Sequence, residues 1–202
     1  DTATHIVCKT TRWDVYTKTN SKLPHNTVNA MNVDKFGNLF IGTDGGLVIA
    51  KDTLKKVLKS TDGLAEDKVS CLFSDDVGWT WIGSPTKGIT KYLEGQPMVY
   101  FSNTSNPTSS RTNDNNITGI TQFNSTTFLI TTVNGGLNQL QGTTMTYKNS
   151  ANSSFTTNYT TCVKVTPSPQ IIWVGTVGKG LWRISNINST YTSYDISGAN
   201  DS

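Results

Sequence analysis

The stretch GNLFIGTDGGL, residues 37–47, places four glycines around a short apolar segment. A loop that cradles a phosphate would need its glycines to open a helix, so that free N–H groups and the helix dipole meet the anion. The apolar segments on either side of these glycines are short and lack a 3.6-residue period, which favours strands over a helix. Because glycine accepts positive φ angles, the pattern predicts turns between strands.

This stretch belongs to a unit that occurs four times along the chain. The copies share a short apolar strand, a polar corner and a glycine before the next apolar residue: GNLFIGTDGGLVI (37–49), GWTWIGSPTKGITKY (78–92), TTFLITTVNGGLNQL (126–140) and QIIWVGTVGKGLWRI (170–184). The shared glycines Gly46, Gly88, Gly136 and Gly180 follow one another at intervals of 42, 48 and 44 residues. One strand-like segment precedes each copy and another follows it. Repeats of this length with four strands each are typical of a β-propeller, in which every sheet is one blade.

The predicted fold is therefore all-β, a β-propeller of four-stranded antiparallel blades in a single domain spanning residues 1–202. Four full blades are expected at about 26–60, 67–102, 115–149 and 158–196, and an N-terminal half-blade at 5–17. Two alternatives stay open for that half-blade. Either it completes a ring with reduced strand pairing, or the chain leaves an open edge that a partner or a second copy covers. The sequence also leaves open whether the chain is a fragment of a longer propeller.

Particular side chains are predicted to build the blades. Asp34 and Gly37 bracket a tight turn, and Asp75 and Gly78 do the same in the second copy, because Asp bonds nearby backbone N–H groups and Gly tolerates positive φ. Residues at the matching second-strand position are predicted to fill the space between blades: Phe40, Trp81, Leu129 and Trp173. The two cysteines at comparable first-strand positions are predicted to be buried space-fillers: Cys71 and Cys162.

Composition excludes several classes of function. The net charge is +3 and the Lys and Arg residues are scattered, which argues against a nucleic-acid partner. No run approaches the roughly 18 apolar residues of a membrane helix, so no membrane span is expected in this chain. Three cysteines and two histidines lack metal-ligand spacing, so neither a metal nor a cofactor is expected.

A family resemblance rests on WDVYTKTNSKLPHNTVNAMNVDKFGNLFIGTDGGL, residues 13–47. This segment resembles the two-component-regulator propeller repeat, with its Leu-Pro, Asp-x-x-Gly-Asn-Leu and Ile-Gly-Thr-x-x-Gly-Leu elements. The third unit departs most, since Thr131 replaces the Gly of Ile-Gly-Thr. The resemblance implies an extracytoplasmic propeller, either periplasmic or secreted or lipid-anchored at the surface. Such propellers occur in sensor regions of membrane-bound histidine kinases, notably glycan sensors of gut bacteria.

Enzymatic interpretations find little support in the sequence. The segment SDDVGWTW (74–81) fits an Asp-box, but that box is a structural turn, and a sialidase would also need an arginine cluster. A glycosidase would need two carboxylates held at a fixed separation, and no acidic pair here has a spacing that ensures it. His25 lacks a partner in a catalytic motif. The chain is therefore predicted not to be an enzyme, with a glycosidase or lyase on a propeller scaffold as the alternative.

The remaining functional prediction concerns one end of the propeller. Loops between the second and third strands share the end of the central channel with the loops between blades, where ligands usually bind. The predicted ligand-binding residues in these loops are Asp44, Lys87, Asn134, Lys179, His25, Asp62 and Arg111. Amide and isolated charged groups suit sugar hydroxyls, so the predicted ligand is an oligosaccharide. A protein partner, with the chain as an architectural interaction module, is the other alternative.

Overall fold

The computed structural model describes residues 14–104 and 110–185, together with the backbone of residues 192–194. These residues form four antiparallel sheets, each made of four strands in chain order. The first sheet contains β1 (Val28–Val33), β2 (Leu39–Thr43), β3 (Gly46–Ala50) and β4 (Leu54–Leu58), and the second contains β5 (Cys71–Ser74), β6 (Thr80–Gly83), β7 (Ile89–Tyr92) and β8 (Val99–Phe101). The third contains β9 (Ile117–Asn124), β10 (Thr127–Thr132), β11 (Gly136–Gln141) and β12 (Thr144–Lys148), and the fourth contains β13 (Thr160–Pro167), β14 (Gln170–Thr176), β15 (Leu181–Ile184) and β16 (Thr192–Tyr194).

The sheets are arranged as successive propeller blades. Their first strands line up side by side, with β1 against β5, β5 against β9 and β9 against β13. One apolar core lies between each consecutive pair of sheets. Among the described residues β1 makes no comparable set of contacts with β13, so these four sheets form an arc. The expected half-blade falls mainly outside the described residues, and residues 14–17, which are described, are not in a strand.

Large side chains fill the spaces between sheets as the repeat predicts. Phe40 meets Tyr92 of the second sheet edge-on, with ring centroids 6.3 Å apart. The ring centroids of Trp81 and of Phe128 in the third sheet lie 4.2 Å apart. Leu129 is fully buried, whereas Trp173 on the last sheet is only half-buried. Three of the four matching positions therefore lie within sheet–sheet cores.

The glycines of the Ile-Gly-Thr element leave space for the following sheet to pack closely. A Cβ on Gly42 would lie 2.4 Å from Val69 Cγ1, and one on Gly83 would lie 2.9 Å from Ile117 Cγ2. Val69 and Ile117 are both fully buried and both sit just before or at the start of the next inner strand. A side chain in place of either glycine would push two sheets apart, so the element encodes inter-sheet contact as well as strand geometry.

In the third sheet the small residue lies on the first strand instead of the second. Thr131 stands where the other sheets have glycine, and its cross-strand partner on β9 is Gly119. A Cβ on Gly119 would lie 3.3 Å from the backbone of Cys162 in the fourth sheet. The small residue has moved to the neighbouring strand, which explains how Thr131 is tolerated.

The two cysteines differ in their surroundings. Cys71 is buried, and its burial raises the pKa of its thiol to about 12. Cys162 is exposed, so the prediction that it is a buried space-filler is wrong. It belongs to the last described sheet, where no following sheet covers it among the described residues.

The Asp-x-x-Gly turns are built as predicted. Asp75 Oδ1 accepts from the N–H of Gly78 at 2.9 Å and of Trp79 at 2.8 Å, and its other oxygen accepts the indole N–H of Trp81 at 2.9 Å. Gly37 and Gly78 have φ angles of 77° and 105°, which favour glycine. Within residues 37–47, Gly37 thus shapes a turn and Gly42 makes room for the next sheet, and neither belongs to a phosphate-binding loop.

Candidate functional site

The predicted ligand-binding loops lie together at one end of the sheets. In an antiparallel meander, the turn between a sheet's second and third strands lies at the end where its first strand begins. Hydrogen bonds tie the two together: Asp44 N–H donates to Thr27 O at 3.3 Å, and Val177 N–H donates to Tyr159 O at 3.0 Å. We call this end the loop face, formed by residues 24–27, 43–46, 59–70, 84–88, 110–116, 132–136, 149–159 and 176–180.

One polar cluster of the loop face surrounds Asp44. Asn29 Nδ2 donates to Asp44 Oδ1 at 2.8 Å, and Lys68 Nζ lies 3.4 Å from the same oxygen. The hydrogen bond from Asn29 is the main cause that lowers the pKa of Asp44, and the charges of Lys68 and His25 act in the same direction. The Asp44 side chain keeps 27% of its surface exposed, so an ionised carboxylate is presented to solvent.

His25 borders this cluster and is half-buried. Its Nδ1 accepts the N–H of Thr27 at 3.0 Å, which fixes the orientation of the ring. A Cβ on Gly45 would lie 3.2 Å from His25 Cβ, so the glycine allows the imidazole to pack closely against the turn. Asp44 and His25 are thus the two predicted site residues that the fold brings together.

Two predicted residues of the next sheets belong to turns that carboxylates tie down. Glu66 Oε2 accepts both the N–H and the hydroxyl of Thr86 at 3.0 Å, beside the exposed Lys87. Asp114 Oδ2 accepts the N–H of Asn134 at 2.8 Å, and the Asn134 side chain is exposed. These acids hold the turns, and the turns present Lys87 and Asn134 to solvent.

The other predicted residues are placed separately. Asp62 ends the 3-10 helix Ser60–Asp62, and its Oδ2 accepts the N–H of Lys59 at 3.0 Å. Arg111 is exposed on the loop that precedes the third sheet. Lys179 is exposed in the turn between β14 and β15. Each lies on the loop face, but none belongs to the Asp44 cluster.

Sequence reasoning did not select three residues on or beside the loop face. Asn29 and Lys68 complete the Asp44 cluster, although they lie on or beside inner strands rather than in the turns. Tyr159 exposes 52% of its surface just before β13 and is an aromatic group available on this face. A polar residue in the second position of the segment VNAMNVD was the signal that could have pointed to Asn29.

A separate cleft of about 300 Å³ opens at the opposite end, between the first two sheets. Its walls include Asp34, Asn38, Phe40, Tyr92 and Glu94. The hydroxyl of Tyr92 is buried and has no hydrogen-bond partner among the described residues. Burial is the main cause that raises the pKa of Tyr92.

Two classes of site are missing from the part of the chain that the structure describes. No group of three or more His, Cys, Asp or Glu side chains there is arranged to hold a metal ion. No helix in those residues has the length and apolarity to cross a membrane.

Comparison with known proteins supports the repeat and the fold. Residues 22–45 match the family model described as two component regulator propeller, which confirms the resemblance seen in the sequence. No curated protein is significantly similar to the chain.

The structure is similar to two extracellular domains from B. thetaiotaomicron. One, named for the hybrid two component system BT3049, aligns with a TM-score of 0.73 at 18% identity, over 85% of this chain and 25% of that domain. The other, from BT4673, aligns with a TM-score of 0.68 at 14% identity, over 83% of this chain and 25% of that domain. The computationally designed Ika8 protein aligns at 0.55 and 14% identity, over 82% of this chain and 48% of that one. The chain spans about a quarter of the length of the two bacterial domains.

Proposed function

We propose that this chain is the ligand-binding propeller of a sensor or regulator, that it acts outside the cytoplasm, and that it recognises an oligosaccharide on its loop face without catalysing a reaction. The match to the two component regulator propeller over residues 22–45 supports the sensor assignment. The similarity in fold to extracellular domains of two-component systems supports the location.

The observation that carries the ligand class is the cluster around Asp44. A carboxylate that keeps a free surface, beside an amide and an ammonium group, offers both acceptors and donors to sugar hydroxyls. His25 supplies a ring at its border, and Tyr159 supplies an exposed aromatic surface on the same face. Because Tyr159 precedes the fourth sheet whereas Asp44, Asn29 and His25 belong to the first, an extended oligosaccharide suits these groups better than a single sugar.

The state of the acidic residues favours binding over catalysis. A general acid of a glycosidase needs a raised pKa so that it carries a proton near neutral pH. The pKa of Asp44 is lowered by its hydrogen bond from Asn29, and the pKa of Asp67 is lowered by its hydrogen bond from the N–H of Ser60 at 2.6 Å. Glu66 and Asp114 accept hydrogen bonds from the turns that they hold.

A glycan array screened with the 202-residue chain tests this proposal, followed by calorimetric titration of each glycan that binds. Asp44→Asn and Asn29→Ala should weaken binding by roughly ten- to a hundredfold, which corresponds to the loss of one or two hydrogen bonds to a charged group. Asp52→Asn is the matched control, since Asp52 lies in the turn between β3 and β4 at the opposite end of the sheet.

Three results would contradict the proposal. The absence of any glycan that binds or raises the melting temperature would remove the ligand class. Equal losses from Asp44→Asn and Asp52→Asn would remove the site. Release of reducing ends from a bound glycan would show catalysis.

A further inference from the structure

The four sheets share one rule for how they meet. Each sheet has a leading face, turned toward the preceding sheet, and a trailing face, turned toward the following one. At the first junction the trailing residue Gly42 receives Val69, and at the second junction Gly83 receives Ile117. Every internal junction therefore joins a trailing face to a leading face.

A hydrogen bond from an inner-strand side chain accompanies each junction. Asn29 Nδ2 donates to Val69 O at 2.9 Å. Ser70 Oγ donates to Ile117 O at 2.6 Å, and Thr118 Oγ1 donates to Thr160 O at 2.9 Å. The same position of the repeat thus secures three successive junctions.

Backbone bonds reinforce the first two junctions. Val69 N–H donates to Thr43 O, and Ile117 N–H donates to Ser84 O, both at 3.0 Å. At the third junction the hydroxyl of Thr160 replaces the backbone donor and reaches Thr132 O at 2.8 Å.

The last sheet keeps a trailing face with nothing on it among the described residues. A Cβ on Gly175 would meet atoms of its own inner strand, at Cys162 and Thr161, but no residue of a following sheet. The hydroxyl of Thr161, which matches Asn29, Ser70 and Thr118, lies 3.8 Å from Cys162 Sγ within its own strand. Trp173 and Leu181, at the positions of Trp81 and Ile89, are half-buried instead of buried.

The first sheet keeps the complementary leading face, which no other sheet among the described residues covers and which Tyr16 borders. Val28 stands at the position of Val69 and Ile117, yet it is 42% exposed where they are fully buried. Met31 and Val33, on the same side of β1, are 67% and 59% exposed.

A cavity of about 320 Å³ opens on this same leading face. Its walls include Leu23, Leu39, Ile41 and Ala50. Leu23 matches Leu64 of the next repeat, which lies inside the first sheet–sheet core, so Leu23 already occupies the place it would have in such a junction.

We infer that two copies of this chain associate head to tail, with the leading face of the first sheet of one copy on the trailing face of the fourth sheet of the other. Val28 of the first copy packs on Gly175 of the second. The hydroxyl of Thr161 in the second copy donates to the Val28 carbonyl oxygen, and the Val28 N–H donates to the carbonyl oxygen of Thr176 in the second copy. Trp173 of the second copy enters the cavity beside Leu23 and Ile41. The contact continues the rule of the three internal junctions, and it does not depend on the proposed ligand.

Among the residues that the structure describes, each copy carries one unmatched face of each kind. A contact between two different faces forms a ring when its rotation returns to the start, and a filament when it does not. The described residues of two copies contribute eight sheets, which lies within the four to eight blades of known propellers. A closed pair leaves neither apolar face in water, which an open chain of copies cannot achieve.

Sedimentation equilibrium over a concentration series tests the association. The wild-type chain should sediment at twice its 22.0 kDa. Met31→Glu on the leading face and Trp173→Glu on the trailing face should each raise the dimer dissociation constant roughly tenfold or more, because each buries an unpaired carboxylate. Val77→Glu is the control, since Val77 is 61% exposed in the turn between β5 and β6, away from both faces.

Mixing the two variants separates this geometry from a symmetric contact. Met31→Glu keeps an intact trailing face and Trp173→Glu keeps an intact leading face, so an equimolar mixture should form a one-to-one pair through a single junction. A mixture that stays monomeric while the wild type dimerises would overturn the head-to-tail geometry. A wild-type chain that sediments as a monomer throughout would overturn the association itself.

A disulfide trap gives an independent readout that needs no disruptive variant. At the second junction, a Cβ added to Gly83 would lie 2.5 Å from Cys71 Sγ and 2.9 Å from Ile117 Cγ2, so the cysteine of one sheet and the first inner-strand residue of the next lie close to the same point. By the same geometry, Val28→Cys in a Cys8→Ser background should form an intermolecular disulfide with native Cys162 under copper-phenanthroline and oxygen. Val77→Cys is the control, and equal cross-linking of both variants, or none with Val28→Cys, would overturn the proposed contact.

Discussion

The indole N–H of Trp81 donates to Asp75 Oδ2 at 2.9 Å, joining a buried aromatic side chain between two sheets to the turn of its own sheet. Asp75 also holds the N–H groups of Gly78 and Trp79 through its other oxygen. One carboxylate therefore shapes the turn and orients the large side chain that fills the junction.

Replacing this carboxylate should be costly. Asp75→Ala removes three hydrogen bonds and leaves the Trp81 indole N–H buried without a partner, so the free energy of unfolding should fall by about 2–4 kcal/mol. Urea denaturation measures the loss. Asp52→Ala, at an exposed turn, should change the unfolding free energy by less than about 0.5 kcal/mol. Equal effects of the two variants would show that the Asp75 bonds contribute little.

The close approach at Gly42 predicts strong coupling with Val69. A Cβ at Gly42 would fall 2.4 Å from Val69 Cγ1, so Gly42→Ala should lower the unfolding free energy by about 1–3 kcal/mol through overpacking. In a Val69→Ala background the same change should cost less, because the clashing methyl groups are gone. A double-mutant cycle by urea denaturation measures the coupling. Strict additivity would contradict the proposed contact.

The hydroxyl of Tyr92 should be dispensable. It is buried and lacks a hydrogen-bond partner among the described residues, so Tyr92→Phe should leave stability unchanged or raise it by up to about 1 kcal/mol. Tyr100→Phe is the matched comparison, since the Tyr100 hydroxyl donates to Gly63 O at 2.6 Å and its loss should lower stability by about 0.5–1.5 kcal/mol. Thermal unfolding distinguishes the two variants. A larger loss of stability from Tyr92→Phe than from Tyr100→Phe would show that the Tyr92 hydroxyl contributes to stability.

The pKa of Asp44 should be lower in the folded chain than in the unfolded one. A lowered folded-state pKa means that the Asp44 contacts stabilise the fold above the ordinary pKa of the side chain, and that this contribution disappears as the pH falls through the lowered value. A carboxyl-detected NMR titration measures it. Asn29→Ala should raise the pKa of Asp44, because the Asn29 hydrogen bond is the largest single cause of its lowering, and Lys68→Met should raise it as well, because Lys68 lowers it through a hydrogen bond and through its charge. An unchanged pKa of Asp44 in Asn29→Ala would show that the Asn29 hydrogen bond does not lower it.

The two described cysteines should differ in reactivity. Burial raises the pKa of Cys71 to about 12, so hardly any thiolate forms near neutral pH, whereas Cys162 is exposed. Ellman's reagent should titrate one thiol per native chain and two after denaturation in a Cys8→Ser, Met31→Glu chain. Met31→Glu is included because the proposed pairing would cover Cys162. Two reactive thiols in the native chain would show that Cys71 is accessible.

Much of the fold follows from local patterns that the sequence displays directly. The Asp-x-x-Gly turns depend on Asp34 and Asp75 bonding backbone N–H groups a few residues away, and such short-range chemistry is legible in one sequence. The repeat then predicts the fold, because a four-stranded sheet with two apolar faces must stack on neighbours of the same kind. Phe40, Trp81 and Leu129 could be identified as filling side chains on that ground alone.

The candidate site was less predictable because its contacts join residues that are far apart in the sequence. Asp44 could be chosen from its turn. Its partner Asn29 lies 15 residues earlier, on β1, and its partner Lys68 lies in the loop that leads to β5. Cys162 occupies the same repeat position as Cys71, and the sequence gives no reason why one is buried and the other exposed. That difference depends on whether another sheet follows.

The sequence by itself determined the strands, the turns and the manner in which one sheet meets the next, since each rests on a residue's own conformational preference or on a position repeated four times. Only the tertiary structure decided which repeat positions are buried against a neighbouring sheet. Val69 and Val28 are the same residue at the same place in the repeat, yet one is fully buried and the other 42% exposed. Burial belongs to the pair of sheets that meet, and the repeat specifies each sheet without specifying its neighbour.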